Sequence, residues 1–237
     1  MRAMILAAGR GLRMRPLTDH TPKPLLEVRG KPLIVWHIER LVAAGIPDII
    51  INHAWLGEQI ERRLADGRRY GARLSYSPEA QALETAGGIA QALEFFENEP
   101  FVVINGDIWC DWDPAQAPGM AAGMRARAAL ACLIMVDNPA HHPEGDFELT
   151  AGGLLRDADR NAARPALTFS GIGVYQPALF GALPKGEPAP LAPLLRKAMP
   201  DGRVMGRKHM GSWVDVGTPE RLAELDRGGR PGRPAQG

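Results

Sequence analysis

The first half of the chain alternates short apolar runs with segments of helical spacing, and this alternation restricts the fold more than any other feature. Strands are predicted at residues 4–8, 48–52, 72–77 and 101–105, and helices at residues 33–44, 56–64 and 88–96. The run at 101–105 is mostly apolar, as expected for a strand covered on both faces. Strand–helix units that repeat and then close with a strand predict a parallel, doubly wound sheet with right-handed crossovers.

The second half is less regular. It predicts strands at 128–136, 167–175 and 213–214, a hairpin from 146–149 and 154–155, and helices at 190–198 and 219–227. Thr218 is the expected N-cap of the last helix, with Pro219 at the first helical position. Neither repeats nor a linker interrupt the chain. We therefore expect one domain over residues 1–227 and a flexible tail over 228–237, where Gly, Arg and Pro dominate.

Composition excludes several classes of protein. The 237 residues are 45% hydrophobic and 23% charged, as in an ordinary globular protein, and the net charge of +1 provides no basic field for nucleic acid. No apolar run is long enough to span a bilayer. Cys110 and Cys132 lie in apolar surroundings without paired ligand spacing, so we expect reduced, buried thiols in a cytoplasmic protein.

The loop after the first strand is small, cationic and stiff: residues 8–24 read AGRGLRMRPLTDHTPKP. Ligands of open parallel sheets bind beyond the carboxyl ends of the strands, where this loop should lie. Gly9 and Gly11 let backbone N–H groups approach an anion, and Arg13 and Lys23 add positive charge. Prolines on both sides of Lys23 restrict its backbone. The loop therefore predicts a phosphate site.

Other interpretations of the loop fit less well. A dinucleotide-binding fingerprint needs a glycine where Met14 stands, and a P-loop needs Gly-Lys-Ser/Thr. A glycine-rich turn with solvated arginines is the structural alternative. Arg13 followed by the Pro-Lys-Pro segment favours the phosphate site over that alternative.

Two aspartates occupy similar positions far apart in the sequence. Asp107 follows the strand at 101–105 in Asn-Gly-Asp, and Asp215 follows apolar residues and precedes Val216-Gly217. Mg²⁺ takes one or two protein carboxylates and fills its remaining positions with water and phosphate oxygens. The pair is thus a candidate metal site, although a turn-forming Asp107 and a cap-like Asp215 are common structural uses.

The segment LAAGRGLRMRPLTDHTPKPLLEVRGKPLI resembles the signature of the nucleotidyltransferases that make nucleoside-diphosphate sugars from an NTP and a sugar 1-phosphate, releasing pyrophosphate. The resemblance extends over residues 1–227 and implies a single-domain, Rossmann-like, doubly wound mixed sheet of the glycosyltransferase-A-like type. It also implies Mg²⁺ as cofactor, bound by Asp107 and Asp215, and Arg13 and Lys23 as catalytic residues. The nucleotide-binding positions that it implies in this loop are Ala8, Gly9, Gly11, Leu12, Arg13 and Lys23.

Further segments narrow the resemblance to the branch that uridylylates a muramyl sugar phosphate in peptidoglycan recycling: INHAWLGEQI, SPEAQALETAGGI, NPAHHPEGDFEL, LTFSGI and WVDVGTPERL. In the family's base-reading region lie Glu79, Thr85 and Gly88. An ionised Glu79 only accepts hydrogen bonds, so the residues allow UTP or GTP. The narrower resemblance favours UTP. A solvated loop carboxylate is the structural alternative for Glu79.

The sugar contacts are less well defined. The resemblance assigns substrate binding to Asn105, Gly145, Glu148 and Ser170. Hexose 1-phosphate enzymes of the family often carry Glu-Lys-Pro after the hairpin, whereas residues 157–164 here read DADRNAAR. A muramyl sugar has a lactyl carboxylate, for which the candidate partners are Arg156, Arg164, His141 and His142. A structural role is equally open for His142, and for His53 a capping role.

Three functions are compatible with the sequence. The first is Mg²⁺-dependent uridylyl transfer to a muramyl sugar 1-phosphate. The second keeps the chemistry with other partners, GTP and mannose 1-phosphate or CTP and phosphocholine. The third is a catalytically silent nucleotide-sugar-binding regulatory protein, against which the presence of both cations and both aspartates argues. The oligomeric state does not follow from the sequence.

Overall fold

The structure is a computed structural model and describes residues 1–158 and 166–228. The helices are α1 Leu33–Ala43, α2 Gly57–Leu64, α3 Glu84–Gln91, α4 Ala117–Ala126, α5 Leu191–Ala198 and α6 Pro219–Asp226. The strands are β1 Arg2–Leu6, β2 Glu27–Val28, β3 Lys31–Pro32, β4 Asp48–His53, β5 Arg73–Pro78, β6 Phe101–Asn105, β7 Ile108–Cys110, β8 Ala131–Val136, β9 Phe147–Leu149, β10 Leu155–Asp157, β11 Thr168–Tyr175, β12 Val204–Lys208 and β13 Trp213–Asp215.

Seven strands form the central sheet in the order β12-β8-β11-β6-β1-β4-β5. Strand β11 runs antiparallel to both of its neighbours, β8 and β6, and the other pairs are parallel. The predicted α/β doubly wound mixed sheet is therefore confirmed. Separate two-stranded ladders pair β13 with β7, β10 with β9, and β2 with β3.

Helices cover both faces of the sheet. Ala3 and Ile5 of β1 point into a core shared with α1, α2 and α4, whereas Met4 points into the core shared with α3 and α5. Successive side chains of a strand face opposite sides, so a central strand covered twice must be apolar at every position. This is why the strand at 101–105 was readable from sequence: four of its five residues are fully buried.

Most predicted elements appear with shifted ends. Helix α3 begins at Glu84, four residues before the predicted start, and ends at Gln91. Gly87 and Gly88 weaken a helix prediction, but a Cβ on Gly87 would lie 2.4 Å from the backbone oxygen of Glu187. Tertiary contact thus requires the glycine inside the helix. Strand β8 begins at Ala131, three residues after the predicted start, and the positive φ of 52° keeps Ala128 itself out of the strand.

The last helix follows its prediction closely. Helix α6 begins at Pro219, and the Thr218 hydroxyl accepts a hydrogen bond from the Arg221 N–H, as an N-cap does. Of the tail predicted over residues 228–237, residues 229–237 lie outside the described residues. Within the ranges 1–158 and 166–228, no helix has the length and apolar character needed to cross a membrane.

Candidate active site

The loop between β1 and β2 folds back on itself at Gly11. This glycine has φ 66°, and a Cβ there would lie 3.0 Å from Thr18 Cγ2 and 3.3 Å from Lys23 Cβ. The Thr18 hydroxyl donates a 2.8 Å hydrogen bond to the Gly11 carbonyl. Both the backbone conformation and the lack of space therefore require glycine. This turn of the backbone places Lys23 next to Gly11, near the start of the loop.

A first cavity of about 380 Å³ opens over this loop. Its lining is Arg10, Gly11, Leu12, Arg13, Met14, Lys23 and Gly217. The structure thus gathers four of the predicted nucleotide-binding residues around one space, whereas Ala8 and Gly9 lie in the same loop without lining it. Arg13 is exposed, and the Lys23 side chain is only 8% exposed. A loop with two arginines at its mouth and a buried lysine at its base suits an anion.

Lys23 contacts the first predicted metal ligand. Its Nζ donates to Asp107 Oδ2 at 2.8 Å. Asp107 follows β6 through Gly106, where a Cβ would lie 2.7 Å from the Leu6 carbonyl oxygen. The close passage of β6 against β1 therefore sets the direction in which the chain leaves the sheet.

The second predicted metal ligand lies beside the first. Asp215 is paired with Ile108 across the β13–β7 ladder, and the Val216 N–H donates to the Asp107 carbonyl at 3.1 Å. Both carboxylates line a second cavity of about 360 Å³, together with Arg13. Two residues 108 positions apart in sequence thus reach one cavity, as the sequence predicts.

The donor set at this cavity fits a hard divalent cation. Asp107 and Asp215 are flanked by the Asn105 amide and the buried Ser170, and the same wall also carries Asp146 and the two imidazoles of His141 and His142, but no thiolate. Mg²⁺ prefers oxygen ligands and rarely takes more than two protein carboxylates when phosphates are present. The arrangement therefore leaves coordination positions for phosphate oxygens.

Asp215 has a cationic partner that the sequence analysis missed. Arg221, on the first turn of α6, donates from Nη1 to Asp215 Oδ2 at 2.6 Å and to the Asp215 carbonyl at 3.0 Å. His141 Nε2 lies 3.3 Å from the same carboxylate oxygen and 3.0 Å from Arg221 Nη1. Burial and the neighbouring Arg221 guanidinium lower the pKa of His141, against a smaller raising effect of Asp215. In the sequence, this pair is indicated only by the position of the arginine, six residues after the aspartate and in a helix whose N-cap, Thr218, is predictable.

Of the predicted base-reading residues, Glu79 directly follows β5, whereas Thr85 and Gly88 lie on α3. Glu79 is buried, with 6% exposure. Its Oε1 accepts from Asn52 Nδ2 at 2.7 Å and its Oε2 from the Leu83 N–H at 2.8 Å. Asn52 in turn accepts from the Ala7 N–H at 2.9 Å. The solvated alternative for Glu79 is therefore wrong, and the carboxylate joins the base region to the end of β1.

Gly88 belongs to the same group, because a Cβ there would lie 2.7 Å from Glu79 Oε1 and 2.8 Å from Asn52 Nδ2. Thr85 is half-buried in the first turn of α3. None of these residues lines either of the two cavities described above. Their contact with a base remains a prediction.

The sugar side is assembled from several segments. Asn105, Ser170, His141 and His142 line the second cavity, together with Asp146. His142 Nε2 lies 3.1 Å from Asp146 Oδ1, whose Oδ2 accepts from the Phe169 N–H at 2.7 Å. Asp146 therefore connects the loop at 139–146 to β11 on the wall of this cavity.

Other predicted sugar-side residues lie off the cavity wall. Gly145 has φ 68° and shapes the loop before β9, where a Cβ would lie 2.7 Å from Asn138 Oδ1. Glu148 faces Arg156 across the β9–β10 hairpin, and Arg156 is exposed. Arg164 lies outside the described residues. His53 is buried beside Glu61, at 2.6 Å, which favours its structural role.

The comparisons with known proteins agree with this geometry. Residues 2–144 match the family described as nucleotidyl transferase. The chain is 54% identical over 225 residues to an N-acetylmuramate alpha-1-phosphate uridylyltransferase of Neisseria meningitidis, covering 94% of this chain and 96% of the relative. It is 37% identical to the protein of that name from Caulobacter vibrioides, covering 94% and 97% of the two chains.

Among solved structures, a candidate glucose-1-phosphate thymidylyltransferase from Bacillus anthracis superposes with a TM-score of 0.82. It is 21% identical, and the match covers all of this chain and 98% of that one. At this identity the likeness concerns the fold alone. The family match, the two close relatives and the gathering of the signature residues around one cavity lead to one assignment: this chain belongs to the nucleotidyltransferase family.

Proposed function

We propose that the protein transfers a uridylyl group from UTP to N-acetylmuramate 1-phosphate, forming UDP-N-acetylmuramate and pyrophosphate with Mg²⁺ as cofactor. The observation that carries the proposal is the convergence of Arg13, Lys23, Asp107 and Asp215 on two adjoining cavities. The 54% identity to a uridylyltransferase of that specificity supports the choice of substrates. The two buried, free cysteines are consistent with a reducing cytoplasm.

The reaction joins two anions, so the main task of the protein is to align them and to neutralise their charge. An oxygen of the sugar phosphate attacks the α-phosphorus of UTP, and the bond from that phosphorus to the β-phosphate bridging oxygen breaks. Pyrophosphate leaves with the electron pair, so that atoms and charge balance without a covalent enzyme intermediate.

Lys23 acts at the α-phosphate. In the described structure its ammonium group is paired with Asp107 and nearly buried. A charge held in a place with little water acts more strongly on a phosphate than one in bulk water. Arg13, which lines both cavities, stabilises the negative charge on the departing pyrophosphate.

Asp107 and Asp215 would hold the metal ion. When bound, Mg²⁺ polarises phosphate oxygens and offsets the charge that develops during transfer. The two aspartates contribute by their placement: Asp107 leaves the sheet beside β1, and Asp215 is fixed opposite β7. Each is paired with one cation in this structure, Lys23 for Asp107 and Arg221 for Asp215.

The specificity for UTP rests on the buried Glu79–Asn52 pair. Glu79 and Asn52 are held in place by each other and by the Leu83 and Ala7 N–H groups, and each oxygen of the ordered Glu79 carboxylate can accept a second hydrogen bond, from a base N–H. The backbone around Thr85 would face the base edge. GTP with mannose 1-phosphate, and CTP with phosphocholine, are the competing substrate pairs.

Pyrophosphate release measured over a grid of substrates tests the proposal. UTP, GTP and CTP are each combined with N-acetylmuramate 1-phosphate, N-acetylglucosamine 1-phosphate, mannose 1-phosphate and phosphocholine. We expect the highest kcat/KM for UTP with N-acetylmuramate 1-phosphate, loss of activity on chelation, and recovery with Mg²⁺. An Asp215→Asn protein prepared in the same way controls for contaminating activity. A higher kcat/KM for another pair would refute the substrate assignment, and no release with any pair would support the silent regulatory protein.

A further inference from the structure

Trp55 lies in the turn between β4 and α2 and contacts the phosphate loop, residues 8–24, at two places. The guanidinium carbon of Arg10 lies over the Trp55 ring, 4.5 Å from its centroid. The indole Nε1–H donates a 3.1 Å hydrogen bond to the Thr18 carbonyl. One half-buried side chain therefore contacts the loop both before and after its turn at Gly11.

The backbone beside Trp55 is held in an unfavourable conformation. Leu56 has φ 54° and ψ 28°, in the left-handed region that a leucine rarely adopts. Nearby on α2, the Gln59 side chain donates from Nε2 to the His20 carbonyl at 3.0 Å, which is a further link to the phosphate loop. Conformations of this kind cluster at functional sites, where the surrounding structure maintains them.

Arg10 carries a positive charge that no described acceptor neutralises. Within residues 1–158 and 166–228, its guanidinium makes neither a hydrogen bond nor an ion pair, and it lies on the wall of the first cavity. The other charged residues on that wall are Arg13 and Lys23, so this lining contains three cations and no carboxylate. Contact with the Trp55 ring leaves the five N–H donors of Arg10 available to an anion.

The position of Arg10 relative to the two cavities indicates which phosphates it meets. Asp107 and Asp215 line the second cavity, on the side proposed for the sugar, and Arg13 lines both cavities. Of these two cavities, Arg10 lines only the first. The β- and γ-phosphates of the nucleotide are the ones furthest from the attacking sugar phosphate. Arg10 is therefore placed for the group that leaves as pyrophosphate.

We propose that Arg10 binds the β- and γ-phosphates of the nucleotide, and that Trp55 is the positioning residue that holds Arg10 over the first cavity. The inference concerns the proposed site and rests on the proposed function. A guanidinium suits phosphate oxygens because it can donate two parallel hydrogen bonds. An arginine held by an aromatic ring also loses less conformational freedom on binding than a free surface arginine.

The main test measures Michaelis constants in both directions of the reaction. The forward substrates are UTP and N-acetylmuramate 1-phosphate, and the reverse ones are UDP-N-acetylmuramate and pyrophosphate. Arg10→Gln should raise KM for UTP and for pyrophosphate by about tenfold to hundredfold, the effect of losing charge-assisted hydrogen bonds. KM for the sugar phosphate should stay at its wild-type value, because Arg10 does not line the second cavity.

Competition by UMP separates a lost phosphate contact from a disordered loop. UMP lacks the β- and γ-phosphates, so its inhibition constant against UTP should be unchanged in Arg10→Gln. A disordered loop would weaken UMP and UTP alike. Arg15→Gln is the matched control and should keep the wild-type constants, since Arg15 is exposed in the same loop, pairs with Asp19 and lines neither cavity.

Variants of Trp55 test the positioning role. Trp55→Ala should raise KM for UTP and for pyrophosphate by about threefold to tenfold, as expected for a cation–π contact and one hydrogen bond. Trp55→Phe keeps an aromatic face for Arg10 and should retain most of the affinity. In the double variant Arg10→Gln/Trp55→Ala, the combined effect should be smaller than the product of the two single effects, because the residues act as one unit.

Trp36→Ala and Trp36→Phe are matched controls for the two Trp55 variants. Trp36 is also half-buried, lies under the Lys31 ammonium group and donates to the Val28 carbonyl, but it lines neither cavity. Both controls should keep the wild-type constants. Should Trp55→Ala fail to fold, Trp55→Phe decides the positioning role, and a rise as large as that in Arg10→Gln would overturn it.

Unchanged KM values for UTP and pyrophosphate in Arg10→Gln would overturn the inference, as would an equal weakening of UMP. Calorimetric titration with pyrophosphate and Mg²⁺ needs no sugar and separates this failure from that of the proposed function. A wild type that turns over no substrate pair, but binds pyrophosphate more tightly than Arg10→Gln does, would refute the proposed function and support the Arg10 contact. Equal affinity of both proteins for pyrophosphate would refute the contact.

Discussion

The phosphate side of the site and its sugar side are built in different ways. Residues 8–24 form the phosphate side as one continuous loop, whose shape follows from Gly11 and from nearby contacts such as Thr18 to Gly11. Besides Arg13 of the phosphate loop, the sugar side combines residues from four segments, at positions 105–108, 139–146, 168–171 and 213–215. The shape of the phosphate side therefore follows from one short stretch of sequence, whereas the sugar side forms only when distant segments have folded together.

Long-range hydrogen bonds hold the second region together. Trp213 Nε1 donates to the Ser170 carbonyl at 2.8 Å, and the Phe169 N–H donates to Asp146 at 2.7 Å. Arg221 reaches His141 across 80 positions of sequence. A substitution on the sugar side is therefore expected to disturb several segments at once, whereas one in the phosphate loop acts at a single place.

The largest expected effect comes from the two aspartates that connect these regions. Asp107→Asn and Asp215→Asn should each lower kcat/KM by about 10³-fold, because a bound metal contributes several kcal/mol of charge stabilisation. Raised Mg²⁺ should restore part of the activity if weakened binding is the cause. Steady-state kinetics over a series of Mg²⁺ concentrations provides the measurement.

Asp137→Asn is the matched control, because this side chain is 73% exposed and does not line the cavity. Circular dichroism should show that all three variants are folded. Activity within a fewfold of wild type in either Asp107→Asn or Asp215→Asn would contradict the metal assignment. It would also break the comparison, since the sugar side would then hold no metal ion for the phosphates of the other side.

The next effect tests the phosphate loop alone. Lys23→Ala should lower kcat by about 10²–10³-fold, the usual cost of removing a preorganised charge from a transferring group. Lys23→Met retains more of the buried packing and should lose similar activity with less effect on thermal stability. Saturating turnover rates and melting temperatures of both variants are the measurements. Lys31→Ala, at a half-exposed lysine paired with Glu39, should remain active.

An unchanged turnover in Lys23→Ala, with both substrates saturating, would remove Lys23 from the catalytic residues. Full loss of folding in both Lys23 variants would show that its ion pair with Asp107 serves stability first. Only a fall in turnover in a folded variant supports the proposed role.

The sequence predicts the locally encoded parts of the molecule well and the parts assembled from distant segments poorly. The phosphate loop and the apolar strands β4 and β6 carry dense local signals, so their residues were identified directly. Helix α4 was missed because its sequence contains a proline and two glycines, and β12 because only three of its five residues are buried. Glu79 and Arg221 have no local signal that reveals burial or partners. Their contacts, to Asn52 and to Asp215, arise only when distant segments meet.

His37 connects α1 to β7, beside the sugar side, and supplies the smallest predicted effect. It lies on α1, after the phosphate loop, and its Nε2 is 2.8 Å from the carbonyl of Ile108, the residue after Asp107. The side chain is buried, and burial lowers its pKa from 6.5 to about 4. Since the carbonyl only accepts, the neutral ring must donate from Nε2.

The depressed pKa of His37 makes stability depend on pH in a defined window. In the unfolded chain this imidazole takes up a proton near pH 6.5, whereas in the folded protein it does so only near pH 4. Protonation therefore favours unfolding as the pH falls from about 6.5 towards 4, and above that window the contribution is constant. Between pH 7 and pH 5 we expect His37 to account for a loss of about 2 kcal/mol in the free energy of unfolding.

Urea denaturation of wild type and His37→Gln at pH 7, 6 and 5 measures this loss. Glutamine can donate to the same carbonyl without titrating, so its unfolding free energy should fall less steeply with acidification, by about 2 kcal/mol over this range. Because only the slope with pH is compared, a uniform loss of stability in the variant does not affect the outcome, and the other five histidines contribute equally to both proteins. Equal slopes would mean that the ring is not held neutral in the folded state. The contact between α1 and β7 would then not depend on a neutral His37.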